Sequence, residues 1–230
     1  MTDEEQARMD ALEKSLRAKL KRWRYREFFP EDGPLRRELY ARHMAFFKAG
    51  LTYRERLLMA ANRIGKTTAG GYETTMHLTG RYPDWWPGRR FDKPGSWVAA
   101  GTTLETTRDI VQAELLGHGE DYGTGMIPHA DIVDLKKRPN TNGAVDFAVI
   151  RHQAGGEARL SLKSFDQGRK AFEGTARQGV WLDEEPKLAI YTECLTRTAT
   201  TDGIVMVTFT PLEGATDVVM DFIEHADLVS

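Results

Sequence analysis

Apolar positions in this chain fall into short blocks of strand length, each followed by a longer stretch with helical spacing. Residues 57–61, 96–101, 179–182 and 204–209 are the apolar blocks. Residues 68–78, 103–116, 188–198 and 214–225 are the stretches that follow them, with Gly80 closing the first. In the second stretch Leu104, Ile110, Val111, Leu115 and Leu116 are the positions available for a core. Residues 145–152 and 158–163 are rich in β-formers and flank Gln153-Ala154-Gly155-Gly156-Glu157, which reads as a hairpin. Residues 117–143 are irregular, with a short strand possible at 131–135. Strands alternating with helices predict an α/β fold: a mostly parallel central sheet flanked by helices on both faces, the hairpin being its mixed element.

The start of the chain reads differently. Residues 3–29 have helical spacing, with Leu12, Leu16, Leu20 and Trp23 in one stripe. Lys14, Arg17, Lys19, Lys21, Arg22, Arg24 and Arg26 crowd into the same segment, with Trp23, Tyr25 and Phe28 among them. Such a segment is either a solvated helix face or an arm that binds nucleic acid or a partner. Pro30 and Gly33-Pro34 break it, and residues 35–49 form a second helix closed by Gly50. Two units are expected: a basic helical arm, 1–34, and an α/β domain, 35–230. Residues 81–95 form a loop rich in Pro, Gly and aromatics.

Composition narrows the class. The chain has 230 residues, 40% of them hydrophobic and 29% charged, and a net charge of −2. That is ample for a core, and near-neutrality removes any global argument for nucleic acid. A single cysteine, Cys194, excludes an internal disulfide and reads as a core residue in a reducing compartment. With no run of 18 apolar residues and no signal-peptide pattern, a soluble intracellular protein is expected.

The chemistry starts where the first strand breaks. Ala60-Ala61-Asn62-Arg63-Ile64-Gly65-Lys66-Thr67-Thr68 joins a strand to a helix through a tight loop, the layout of a phosphate-binding P-loop. Loop and helix N–H groups converge on phosphate there, and the helix dipole favours negative charge. Lys66 would reach the β/γ-phosphates and the Thr67 hydroxyl would ligate Mg²⁺. Ala60 stands where the pattern has its first Gly. A strand-to-helix turn with an exposed Lys is the plain alternative.

Val180-Trp181-Leu182-Asp183-Glu184 supplies the second half. An apolar strand would carry Asp183 to the carboxyl edge of the sheet, where ligands of open α/β sheets bind. Asp183 would hold Mg²⁺, and Glu184 would orient or deprotonate water. An acid adjacent to the strand-end Asp points to the RecA-like ATPase branch with additional strands between loop and Asp. No Asn-Lys-x-Asp guanine-reading motif is present. Val207-Thr208-Phe209-Thr210-Pro211 ends a strand in hydroxyls beside the same edge, where they could sense the γ-phosphate; taken alone, the stretch is a strand-terminating Thr-Pro turn.

These motifs together resemble the large terminase subunit of tailed bacteriophages, the ATPase that packages DNA. The resemblance rests on residues 60–67, 172–186, 191–197 and 208–214, with the loop 82–93, and runs from about residue 35 to the end. It implies that Lys66 and Thr67 contact phosphate and Mg²⁺, with Ala61, Asn62, Arg63, Ile64, Gly65 and Thr68 completing the nucleotide loop. Asp183 becomes the Mg²⁺-associated acid, Glu184 the catalytic carboxylate, and Thr208 and Thr210 part of the coupling motif. Arg63 occupies a loop where the family often has an arginine near the γ-phosphate. The family's adenine-reading Gln is missing before the loop, leaving Tyr40 and His43 as substitutes. Arg169 and Arg177 are candidates for an arginine finger, which several subfamilies supply from a neighbouring subunit. The resemblance further implies ATP as ligand, double-stranded DNA, a portal protein and a small terminase subunit as partners, a ring on the capsid and a monomer in isolation. It also implies the host cytoplasm as location, without membrane association.

Family members continue into a nuclease domain with clustered carboxylates. Asp217, Asp221, Glu224 and Asp227 lie along one expected helix instead, so the chain reads as the motor domain without nuclease activity. Two other readings stay open: a helicase-like nucleic-acid ATPase, and a nucleotide-binding scaffold that has lost catalysis.

Overall fold

The computed structural model describes residues 2–21, 23–139, 141–211 and 216–225. Arg22 of the basic segment and residues 212–215, which hold the end of the coupling motif and the expected start of the last helix, lie outside these.

Seven strands form one sheet in the order β1-β7-β6-β2-β5-β4-β3. They are β1 (Glu55–Met59), β2 (Ser96–Gly101), β3 (Ile132–Lys137), β4 (Val145–Arg151), β5 (Glu157–Ser164), β6 (Gly179–Asp183) and β7 (Ile204–Phe209). From β1 to β5 every neighbouring pair is parallel; β4 and β3 add an antiparallel meander at the far edge. The expected hairpin is therefore the mixed element. β7 lies between β1 and β6, the additional strand that an adjacent Asp-Glu pair predicts.

Alternation along the strands splits the core in two. Trp97, Ala99, Trp181 and Met206 face helix α3 (Lys66–Thr79) and the aromatic loop 81–95. Val98, Ala100, Val180, Leu182, Val205 and Val207 face α6 (Leu188–Ala199) and α7 (Asp217–His225). Cys194 is buried in that second layer, as expected. All six residues of β7 are buried, because helices cover both faces of a parallel interior strand.

β1 starts two residues before the apolar block, at Glu55-Arg56. Charge at these positions hid the strand. Arg56 is 4% exposed, and its guanidinium donates to both carboxylate oxygens of Glu73 on α3 at 2.7 and 2.9 Å and to the Phe46 carbonyl. Glu73 also meets His77 Nε2 at 3.1 Å, and His77 Nδ1 meets the Tyr82 hydroxyl at 2.7 Å. This buried chain ties the P-loop strand to α3, to α2 (Ala41–Ala49) and to the aromatic loop.

The helix expected over 103–116 is broken into α4 (Leu104–Thr106), a π-helical segment Thr107–Gln112 and α5 (Ala113–Leu115). The wider turn keeps Thr107 and Gln112 inward beside Val111 and leaves Ile110 46% exposed, against expectation. Thr107 Oγ1 accepts from Gly101 N and donates to the Lys163 carbonyl. Gln112 donates to the Gly143 carbonyl and accepts from Val145 N. Hydrogen bonding of buried backbone outweighed burial of one isoleucine.

At the start of the chain, α1 spans Asp3–Lys21 and ends before the expected 29. Met9, Leu12 and Leu16 are exposed, so the described part of the stripe is not a core seam. Arg24–Glu27 forms a 3₁₀ turn, and Tyr25 and Phe29 enter the main core. The aromatics beside the basic run are thus committed to packing: Phe29 contacts Tyr40, His43, Phe47, Tyr72 and Trp85. The second helix starts at Ala41, after a 3₁₀ turn Arg37–Tyr40.

Removing Glu73 leaves the Arg56 charge buried without its partner, so Glu73→Ala is expected to destabilise by about 3–5 kcal/mol in denaturant unfolding. Burial opposes ionisation of Glu73, yet Arg56 and His77 hold its carboxyl below the ordinary range; burial also holds His77 below its ordinary value. Both folded values lie below their unfolded ones, so the unfolded chain takes up more protons in acid. This contribution to stability is fully present above about pH 6.5 and is lost on acidification. A thermal midpoint flat from about pH 7.5 down to about pH 5 would contradict it.

Candidate active site

Three elements meet at the carboxyl edge of the sheet. The loop after β1 turns into α3 through Gly65 at φ 85°, a left-handed position that suits glycine. The turn brings Lys66 and Thr67 to the first positions of α3. β6 ends in Asp183, and β7 lies alongside in register with Asp183 opposite Thr208.

Asp183 is 5% exposed and is held by hydroxyls. Thr67 Oγ1 lies 3.1 Å from each of its carboxylate oxygens, and Thr208 Oγ1 lies 2.7 Å from Oδ1. Burial pushes the Asp183 carboxyl up to about 7, partly offset by the Thr208 and Thr67 hydrogen bonds and by Lys66. A buried carboxylate beside a threonine hydroxyl is a hard-oxygen donor set, the kind Mg²⁺ takes. The residues therefore fit a divalent cation between α3 and β6.

Lys66 is 8% exposed, and its Nζ donates to the Ala61 carbonyl at 2.8 Å, so the amine curls back over the loop that would hold phosphate. Thr210 donates to Asn62 Oδ1 at 2.7 Å, tying the end of β7 to the loop. Glu184 has φ 89°, strained for a residue with a side chain, and its N–H donates to the Thr208 carbonyl at 2.8 Å. Strain of this kind concentrates at functional sites. Glu184 lines a cleft of about 560 Å³ with Thr102, Glu185, Pro186, Thr210 and Thr216. Asn62, Arg63 and Ile64 are exposed on the loop, with Arg63 at φ 65°.

Other expected residues fall elsewhere. His43 is buried under the loop, where its Nε2–H donates to the Gly65 carbonyl at 3.2 Å and its ring packs on Phe29 and Tyr40. Burial holds its imidazole below the ordinary value. His43 props the P-loop from beneath, and Tyr40 packs edge-on against it. Arg177 precedes β6 at the opposite edge of the sheet, six residues or about 20 Å of strand from Asp183. There its guanidinium donates to Ser96 Oγ and its N–H to the Arg197 carbonyl. The structure does not bring it to the site. Arg169 is 55% exposed and pairs with Glu173 and Glu193 at 2.9 and 3.0 Å. Trp181 carried no expected role, yet its indole N–H donates to Thr208 Oγ1 at 2.8 Å, behind Asp183. In the sequence it is one apolar residue of a strand, and nothing local reveals its partner.

Residues 57–227 match a family model described as the terminase large subunit, T4likevirus-type, N-terminal. The large terminase subunit of Salmonella phage P22 is 38% identical over 206 residues, covering 81% of this chain and 41% of that protein. Among solved structures, the large terminase from a thermophilic bacteriophage superposes with a TM-score of 0.55 at 12% identity, over 75% of this chain and 38% of that one. The same protein in complex with ADP gives a TM-score of 0.52 at 13% identity, over 81% of this chain and 43% of that one. At such identities the structural likeness shows the fold: an α/β sheet of the phage-terminase type. The chain spans about two-fifths of the length of these relatives. Sequence and fold agree that the chain belongs to the terminase large-subunit family, of which it covers the N-terminal part.

Proposed function

We propose that this chain is the ATP-hydrolysing motor domain of a genome-packaging terminase, coupling hydrolysis to translocation of double-stranded DNA into a procapsid. One observation carries the reading: Asp183 ends β6 within reach of the Thr67 hydroxyl and Glu184 follows it, with β7 between β6 and the loop strand β1. A nucleotide-binding scaffold would not need a strained acid held beside that pair. Membership of the terminase family favours packaging over helicase work.

In this reading the loop N–H groups of residues 61–67 and the start of α3 bind the phosphates. Lys66 swings from the Ala61 carbonyl to the β/γ-phosphates. Thr67 and Asp183 hold Mg²⁺, which neutralises phosphate charge when bound. Glu184 takes a proton from the attacking water. The Thr210–Asn62 bond passes a change in the loop to β7, which is where coupling would start. Arg63, exposed on the loop, would reach the γ-phosphate. Arg169, more than half exposed and paired with Glu173 and Glu193, is the arginine that could serve a neighbouring subunit's site after leaving those partners. The partners are duplex DNA, a portal protein, a small terminase subunit and further copies in a ring, at the phage assembly site in the host cytoplasm. Among the described residues no helix is long and apolar enough to cross a membrane. DNA cleavage is no part of this reading.

Glu184→Gln is expected to reduce ATP turnover by about 10²–10⁴-fold while ATP still binds. Equal turnover in parent and variant, measured with DNA present, would clear Glu184 of its role. A parent that never hydrolyses ATP, alone or with DNA and portal, would favour the scaffold.

If the finger acts between subunits, turnover per chain rises with protein concentration and Arg169→Ala abolishes the rise. Arg177→Ala, at the other edge, lowers the thermal midpoint and leaves the rise intact. Fast turnover independent of concentration would sink the shared finger.

Metal binding needs the ionised carboxylate of Asp183, whose proton is held up to about pH 7. Mg²⁺ affinity of the ADP complex is therefore expected to climb between about pH 6 and about pH 7.5 and level off above. Calorimetric titrations at several pH values read this directly; affinity that does not change with pH would contradict it.

A further inference from the structure

The interior behind the site holds a contact that the phosphate chemistry does not explain. Helix α3 carries glycine at position 70, on the turn after Thr67. A Cβ at Gly70 would lie 2.2 Å from Trp181 Nε1 and 2.4 Å from its Cε2. Trp181 is wholly buried in the middle of the sheet, so the ring has little room to yield. The missing side chain lets the indole edge pass against the α3 backbone and reach Thr208 on the next strand.

The donor inventory then fixes the direction of the Thr208 hydroxyl. An indole N–H donates and never accepts. Thr208 Oγ1 must therefore accept at 2.8 Å, which leaves its single proton for Asp183 Oδ1 at 2.7 Å. The Thr208 carbonyl meanwhile accepts the N–H of Glu184. One residue thus holds both acids of the site, and Trp181 decides which way its hydroxyl points. Without the indole N–H, Thr208 is free to turn its proton elsewhere and the carboxylate loses its fixed orientation.

We infer that Trp181 is a positioning residue for the metal-holding acid: through the Thr208 hydroxyl it clamps Oδ1 of Asp183 and leaves Oδ2, with the Thr67 hydroxyl, for a divalent cation. The inference rests on the proposed ATPase reading and adds a residue that works from behind the sheet. It also gives Gly70 a purpose, since α3 carries Thr67 and clears the path of the indole that orders Asp183.

The test is calorimetric binding of ADP in EDTA, then of Mg²⁺ to the ADP complex, for the parent and five variants. Trp181→Phe fills the space without the N–H and is expected to weaken Mg²⁺ binding about tenfold, the scale of outer-shell changes at metal sites. Metal-free ADP affinity should stay at the parent value. Thr208→Val should show the same loss, Thr208→Ser should retain parent affinity, and the Trp181→Phe/Thr208→Val pair should lose no more than either alone. Gly70→Ala keeps the indole but blocks its path, and it should also weaken Mg²⁺ if Trp181→Phe fails to fold. Mg²⁺ affinity within twofold of the parent in folded Trp181→Phe, or additive losses in the pair, would overturn the inference. So would equal weakening of metal-free and metal-dependent binding, the mark of a merely structural role. A parent that binds neither ADP nor Mg²⁺ would sink the ATPase reading itself, and this inference with it.

Discussion

The constraint on which this molecule turns is a carboxylate buried at the end of β6. Asp183 lies out of water with hydroxyls from α3 and β7 against it, and its ionised form is costly there until a cation arrives. That arrangement exists only if three elements stand in register. α3 must start at Lys66 to present Thr67, β6 must end at Asp183, and β7 must lie beside β6 so that Thr208 faces it. The strand order satisfies all three, because placing β7 between β1 and β6 connects the loop strand to the acid strand through hydroxyl-bearing positions.

A second buried carboxylate shows what distinguishes function from scaffolding here. Glu73 is as deeply buried as Asp183, yet a guanidinium grips both of its oxygens and a histidine adds a third contact. It is held ionised and closed to any ligand. Asp183 has neutral hydroxyls around it, with Lys66 turned toward a loop carbonyl and Glu184 adding repulsion. The first carboxylate fastens α3 to β1 and to the aromatic loop. The second leaves charge uncompensated at the mouth of the sheet, which is the electrostatic condition for recruiting a cation and, with it, a phosphate. Both lie along α3 and its neighbours, so the helix that carries the site is locked in place by the first and aimed by the second.

The polar residues of the interior explain where the sequence pattern misleads. Arg56 belongs to a strand although it is charged, because its partner is 17 residues further on, within a helix. Ile110 is apolar and exposed, because Thr107 and Gln112 serve backbone groups of distant loops and widen the helix to do so. Arg177 looks near the acids by number, since a strand of five residues separates them, but a strand runs from one edge of the sheet to the other. In each case the deciding partner is remote in the chain.

By itself the sequence determined the alternating α/β plan, the bounds of β2 and β7, the hairpin, the strand-loop-helix around Gly65-Lys66-Thr67, and the acid pair at 183–184. Those are local facts: hydrophobic runs, a glycine needing positive φ, and a strand that ends in charge. The tertiary structure decided what the local pattern cannot carry. It set the strand order that puts Thr208 against Asp183, the burial that makes His43 a prop and Glu73 a fastener, and the edge on which Arg177 lies. It also brought the Trp181 indole past Gly70 to the Thr208 hydroxyl. Hydrogen bonds and buried charges depend on distance in space, and a chain fixes those distances only once its sheet has closed.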